Sequence, residues 1–189
     1  MILGPIVSRY ELPDCKILND KVASFLYSVK ELQSKSDVVS NRKGWQRNDL
    51  QSMPQLQSLL TLIGKEFEKF VYETLEPRAS CDFILGNLFC NINPPGAYHV
   101  PHIHEGDFTG VYYIKAPKDS GKLRLIYPHQ CSSTARLQRL FKNIKLEERI
   151  EPEEGVGYFF PTYLNHYVEE NLSDDDRISI SYNINIKEK

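Results

Sequence analysis

Three of the chain's five histidines fall within six positions of one another, at His99, His102 and His104 of "YHVPHIHEGDFTGVYYI". If "HVPHIH" is extended, His102 and His104 project to one face, because side chains two apart on a strand align, about 6 to 7 Å apart at the backbone. The same alternation turns His99 to the other face, unless Pro101 disturbs the strand. Two imidazoles so placed can converge on one ion of iron, zinc or copper, for which histidine is the commonest ligand. A pair does not close a site, and a third donor must come from elsewhere. His166, in "FFPTYLNHYVEE", is the candidate, although a strand histidine between Tyr163, Tyr167 and Val168 also suits a satisfied core position. His129, in "YPHQC", reads as a loop residue.

Eleven residues after His166, Arg177 opens the segment "RISISYNINIK". As a strand, this segment puts Arg177, Ser179, Ser181, Asn183 and Asn185 on one face and Ile178, Ile180, Tyr182, Ile184 and Ile186 on the other. Either the polar face meets water, or the isoleucines pack on a helical layer and Arg177 turns inward. A buried arginine is costly without an anion. A ligand carboxylate would satisfy it bidentately, with the Ser179 hydroxyl as a further donor. Asn91 and Asn93 share a face of "LFCNIN"; buried amides need partners, and Asn91 is a candidate contact for such a ligand.

The elements that must hold these residues change period partway along the chain. Residues 19 to 34 carry Val22, Phe25, Leu26, Val29 and Leu32 at helical spacing, with Asn19 or Asp20 as a cap. A second helix is expected over 54 to 75, with Leu56, Leu59, Leu60, Ile63, Phe67 and Val71 as its stripe and Pro77 as its stop. Between them lies a polar loop with basic residues, "KSDVVSNRKGWQRND", holding the only tryptophan, Trp45. From residue 82 the period becomes two, in "DFILGNLFCNIN", "FTGVYYIK", "KLRLIYP", "GYFFPTYLNHYVEE" and "RISISYNINIK". Turn clusters such as "PPGAY", "PKDSG" and "NLSDDD" separate these runs. The fold class is therefore mainly β with N-terminal helices (α+β): a sandwich or jelly roll packed against two helices. A short helix is expected in "CSSTARLQRLFKNIK", with Arg136, Arg139, Lys142 and Lys145 on one broad, solvated face.

Composition bounds the rest. A chain of 189 residues with 41% hydrophobic and 25% charged content reads as a single domain, 1–189, with a mainly helical support region over 1–80 and a β core over 81–189 that carries an insert at about 129–145. A net charge of −2 carries no nucleic-acid or membrane signal. The four scattered cysteines, Cys15, Cys81, Cys90 and Cys131, read as reduced thiols of a cytoplasmic protein. A homodimer is the default oligomer.

The order His102-x-His104, the strand "TGVYYI", His166 and Arg177-x-Ser179 resembles the iron(II)- and 2-oxoglutarate-dependent dioxygenases of the double-stranded β-helix (jelly-roll, cupin-like) fold. More narrowly, "NINPPGAYHVPHIHEGDFTGVYYIKAPKDSGKLRLIYP" with "GVGYFFPTYLNHYVEENLSDDDRISISYNI" is similar to a group of such oxygenases in bacteria and phages, over roughly residues 82 to 186. The resemblance implies a hydroxylase using Fe(II), 2-oxoglutarate and O2 on an oxidisable substrate. It implies His102, His104 and His166 as iron ligands, and Arg177 and Ser179 as the anchor of the far 2-oxoglutarate carboxylate. Tyr113 matches a tyrosine that, in prolyl-hydroxylase-like members, donates to that same carboxylate. Lys122 and Arg124 match a lysine anchor used by other members, but with Arg177 available both are expected in solvent. The chain departs from the family at His104, where most members have Asp or Glu. Either three neutral imidazoles leave the ion's charge uncompensated, as in three-histidine sites elsewhere, or Asp107 or Glu105 completes the set. Two other readings stay open: a three-histidine dioxygenase that does not use 2-oxoglutarate, and a non-catalytic cupin-like binding protein.

Overall fold

The structure, a computed structural model, describes residues 6–37, 39–128, 139–140 and 146–189. Helix α1 (Lys16–Leu32) begins earlier than its apolar spacing predicts, with Cys15 rather than Asn19 or Asp20 at the N-cap. Asn19 is instead turned inward, where its Oδ1 accepts a hydrogen bond from the Tyr112 hydroxyl at 2.9 Å. Helix α2 (Pro54–Phe70) opens on a proline, whose missing N–H is no loss in a first turn. It runs on as a π-helical turn over Val71–Leu75 and stops at Glu76, which takes a left-handed conformation just before Pro77.

Eleven strands follow or interrupt the helices: β1 (Ser8–Glu11), β2 (Asn41–Arg42), β3 (Trp45–Arg47), β4 (Cys81–Asn93), β5 (Tyr98–His102), β6 (Phe108–Lys115), β7 (Leu123–Ile126), β8 (Glu147–Ile150), β9 (Val156–Pro161), β10 (Asn165–Val168) and β11 (Arg177–Glu188), all among the described residues. They form two sheets, ordered β1-β9-β6-β11-β4-β3 and β2-β5-β10-β7-β8. Every pairing within them is antiparallel. Two facing antiparallel sheets with helices on one side are the expected jelly roll. The first 80 residues add three short strands to this scaffold. β2 joins the smaller sheet and β3 the larger, so the short turn between them links the two sheets.

The segment "GYFFPTYLNHYVEE" is two strands and not one. β9 lies in the larger sheet and β10 in the smaller. The chain turns the corner at Thr162, whose hydroxyl donates to the Gly106 carbonyl at 2.6 Å. Its apolar composition hides that corner, because Tyr163 and Leu164 look like strand residues.

The main core lies between the helices and the larger sheet. Ile178, Ile180 and Tyr182 of β11 pack there with Val22 and Leu26 of α1 and Leu59 and Phe67 of α2. Each such side chain contributes about 1.5–3 kcal/mol by leaving water. Trp45 belongs to this core as well; its indole N–H donates to the Gln33 carbonyl at 2.9 Å. A second cluster, with Leu123, Leu125 and Phe160, fills the space between the sheets. Within the main core, Tyr10 and Tyr182 share a hydrogen bond at 2.6 Å. Tyr10 lies over Gly157, where a Cβ would come within 2.1 Å of the ring.

Of the expected insert, Arg139 and Leu140 are described and exposed, while His129, Cys131, Arg136, Lys142 and Lys145 lie outside the described residues. No helix among the described residues is long and apolar enough to cross a membrane.

Candidate metal centre and its cavity

The two sheets enclose a cavity of about 210 Å³, into which both histidine segments open. His102 ends β5, His104 stands two residues beyond it, and His166 comes from β10, where it lies directly opposite His102. Nitrogens of the three rings lie within 4.8 Å of one another. The ring centroids are 4.3 Å apart for His102 and His166, 5.1 Å for His102 and His104, and 5.0 Å for His104 and His166. The Nδ1–H groups of His102 and His166 have backbone carbonyls to donate to, Val100 at 2.7 Å and Leu164 at 2.8 Å. Bonds of this kind hold a ligating imidazole in one tautomer and leave Nε2 free for an ion.

Burial sets the protonation of the cluster. It holds His166 down to about 3, with His102 adding to the effect, and His104 down to about 4, again with help from His102. His102 is lowered too, chiefly by burial and against the pull of the Val100 carbonyl. Three neutral imidazoles with converging nitrogens are a donor set that fits a divalent transition ion. Neither expected carboxylate joins them. Asp107 points the other way, and its Oδ2 accepts the Ile186 backbone N–H at 2.7 Å, tying the 103–107 loop to β11. Glu105 lies on the rim of the cavity, outside the cluster of converging donors.

His99 breaks the expected alternation. Between β5 and β10, His102 faces His166 while His99 faces Val168, so two intervening residues on β5 oppose one on β10. This β-bulge turns His99 into the same cavity, its ring 6.4 Å from that of His102. Both of its nitrogens are engaged, with Ser40 Oγ at 3.1 Å and Asn93 Oδ1 at 3.3 Å. Burial, then Arg177, pushes its pKa well below the usual value. Asn93 continues the chain of bonds to Asn41 at 2.9 Å, and Asn41 donates to Asn91 at 3.4 Å. Asn91 therefore lines the cavity with its amide already shared with Asn41 and the Phe89 carbonyl.

At the inner end stands Arg177, 1% exposed. One guanidinium nitrogen donates to the carbonyls of Ser120 at 2.6 Å and Gly121 at 3.2 Å. Among the described residues no carboxylate pairs with it, and burial pushes it down to about 10. Tyr113 is buried beside it on β6, directly across from Ser179 of β11, and burial raises its phenol. Ser179 is also buried in the cavity wall. A fixed cation, a phenol and a hydroxyl thus meet at one end of the cavity, an arrangement that suits an anion.

Lys122 and Arg124 lie outside the cavity. Lys122 is half-exposed and pairs with Glu151. Arg124 is not in solvent as expected: it is mostly covered between Glu147, at 2.6 Å, and Glu169, on the outer face of the smaller sheet. Spacing alone did not point to Ser40, which lines the cavity, or to Asn41, which bonds the cavity residue Asn91; neither sits in a periodic pattern. Asn183 lay on the expected polar face of β11.

The family model described as "Putative 2OG-Fe(II) oxygenase" matches residues 87–183 of this chain. No curated protein sequence matches it. Among solved structures, a Pseudomonas putida prolyl-4-hydroxylase superposes with a TM-score of 0.61 at 16% identity, over 93% of this chain and 90% of its own. The viral collagen prolyl hydroxylase of Paramecium Bursaria Chlorella virus-1, solved with 2OG, gives 0.60 at 18% identity and 94% coverage of both chains. The carbocyclase SnoK of nogalamycin biosynthesis gives 0.68 at 11% identity, over 95% of this chain and 79% of its own. At these identities the likeness is one of fold.

Proposed function

Since this chain belongs to the 2OG-Fe(II) oxygenase family, and is accordingly an oxidoreductase that uses Fe(II), 2-oxoglutarate and O2, we propose that His102, His104 and His166 hold the iron and that Arg177, Tyr113 and Ser179 hold the cosubstrate. The observation that carries the second half is Arg177, a buried guanidinium with no carboxylate partner among the described residues. Iron with 2-oxoglutarate, once bound, supplies an O2-dependent oxidation that releases succinate and CO2. The chain's own contribution is to bind and orient. The Arg177 fork fits a carboxylate bidentately, and Tyr113 and Ser179 can each donate one further hydrogen bond to it. Asn91 supports that pocket at one remove, by fixing Asn41 and through it Asn93 and His99.

Charge explains how the site works without a carboxylate ligand. The imidazoles are neutral and Arg177 is a cation, so a dianionic cosubstrate meets uncompensated positive charge at both ends. Hydroxylation is the outcome we assign, since two of the similar structures are prolyl hydroxylases. The reduced thiols Cys15, Cys81 and Cys90 suit a cytoplasmic setting.

Anaerobic titration of the Fe(II)-loaded protein with 2-oxoglutarate tests the assignment. The visible metal-to-ligand charge-transfer band of the chelate is expected to saturate at one equivalent. Iron binding without a band would remove the cosubstrate from this cavity.

A further inference from the structure

The inward face of β11 is longer than the cosubstrate needs. Phe89 lies across from Ser181 in the β4–β11 pairing and touches the His104 ring, with centroids 5.6 Å apart. Ser181 therefore marks the level of the histidine cluster. Arg177 stands two inward positions to one side of that level, or about 13 Å along the strand, and Asn183 one inward position to the other side, about 7 Å. The cluster divides the cavity between them.

Asn183 is 4% exposed and lines the cavity, yet its Oδ1 meets no donor. A buried carboxamide oxygen left without a donor costs free energy unless something completes it. At this end the cavity mouth carries apolar Ile103, 61% exposed, and the Glu105 carboxylate, with no lysine or arginine.

We propose that the outer end of the cavity, around Asn183, is the subsite for the substrate to be oxidised, and that it takes a neutral amide group. The inference rests on the cosubstrate assignment above, which reserves the inner end for 2-oxoglutarate. An amide offers one donor and one acceptor side by side, the complement of the Asn183 side chain, and forms a two-bond pair with it. A hydroxyl can engage one side at a time. An anionic group would lose its water and meet the Glu105 carboxylate instead of a cation, and Asn183 itself offers a cation no charge. Held there, the amide sets carbon atoms a few bonds away beside the histidine cluster, while Ile103 covers an apolar body.

The test uses acetamide as probe and the whole protein, loaded with Fe(II) and saturating 2-oxoglutarate without O2. The readout is relaxation of the acetamide methyl protons by the iron. Strong relaxation is expected with the unaltered protein, at least five-fold weaker relaxation with Asn183→Leu, and a preference for methylammonium over acetamide with Asn183→Asp. Equal acetamide relaxation in the unaltered and Leu proteins would overturn the inference, as would acetate or ethanol outcompeting acetamide. The charge-transfer band separates the two levels of the argument. If it fails to form in the unaltered protein, the cosubstrate assignment falls and takes this one with it. If it forms there but is lost in both variants, Asn183 belongs to the cosubstrate site instead.

Discussion

The rings of His104 and His166 lie nearly parallel, their planes 8° apart and their centroids 5.0 Å from each other, although one comes from the loop after β5 and the other from β10. Two imidazoles so close, and largely out of water, cannot both carry a proton at low cost. Their folded values, about 4 and about 3, lie below the unfolded value of about 6.5. The sign follows from proton uptake: between those limits the unfolded chain binds more protons than the folded one. Stability of the metal-free protein is therefore fully present above about pH 6.5 and drains as pH falls toward 3, by up to about 1.4 kcal/mol per unit for each histidine. Thermal melts in chelator should hold level from pH 8 to 7 and fall below 6. Replacing His166 by Leu should flatten that fall, and an unchanged slope would contradict the account.

Metal binding separates His166 from Asp107. His166→Ala should abolish stoichiometric Fe(II) uptake, because it removes one of the three converging nitrogens. Asp107→Asn should keep one equivalent of iron and lose about 1 kcal/mol of stability, since it weakens the charged bond to the Ile186 N–H. Equilibrium dialysis with iron analysis, beside a denaturant melt, reads both. If Asp107→Asn loses its iron, the acid is a ligand after all.

Arg177→Leu should act in opposite directions on two measurements. Removing a buried, unpaired cation should leave the metal-free melting temperature unchanged or higher. The same change should weaken 2-oxoglutarate by about two orders of magnitude, the usual scale for truncating a buried charge partner, roughly 3 kcal/mol. Tyr113→Phe should cost about tenfold by the loss of one hydrogen bond to a charged group. Calorimetric titration of the iron-loaded variants gives the ratios. Undiminished affinity in Arg177→Leu would rule out the anchor.

Gly157→Ala tests the packing behind the site. A Cβ there would meet the Tyr10 ring at 2.1 Å, and the ring has little room because its hydroxyl is held by Tyr182. Overpacking of this kind costs about 1–3 kcal/mol. A urea melt should show the loss, and a neutral result would mean that Tyr10 can move aside.

Strict alternation made the site legible in the sequence wherever the strands obey it. β11 does, so Arg177, Ser179 and the isoleucines opposite them read correctly from "RISISYNINIK". His102 and His104 converge as expected, although His104 lies in the loop beyond β5 and strand alternation does not place it. His99 did not follow the count, because a bulge in β5 around Pro101 shifts it by one. The corner at Thr162 was hidden by the apolar residues around it. Ser40 and Asn41 were illegible for a different reason: each is a partner in a bond across the fold, and the polar loop that carries them has no period to read. Asp107 stayed an alternative in the sequence because a nearby acid resembles a ligand until its backbone partner, Ile186, is known.

The two faces of β11 carry separate obligations. Ile178, Ile180 and Tyr182 are bound by the shape of the helices, and Arg177, in the proposed reading, by the charge of a small anion. Ser181 and Asn183 answer to neither. Exchange of those two residues would change what the cavity accepts, while exchange of their neighbours on the same strand would disturb the core or the proposed anchor. Diversification would then be confined to alternate letters of a short stretch of sequence.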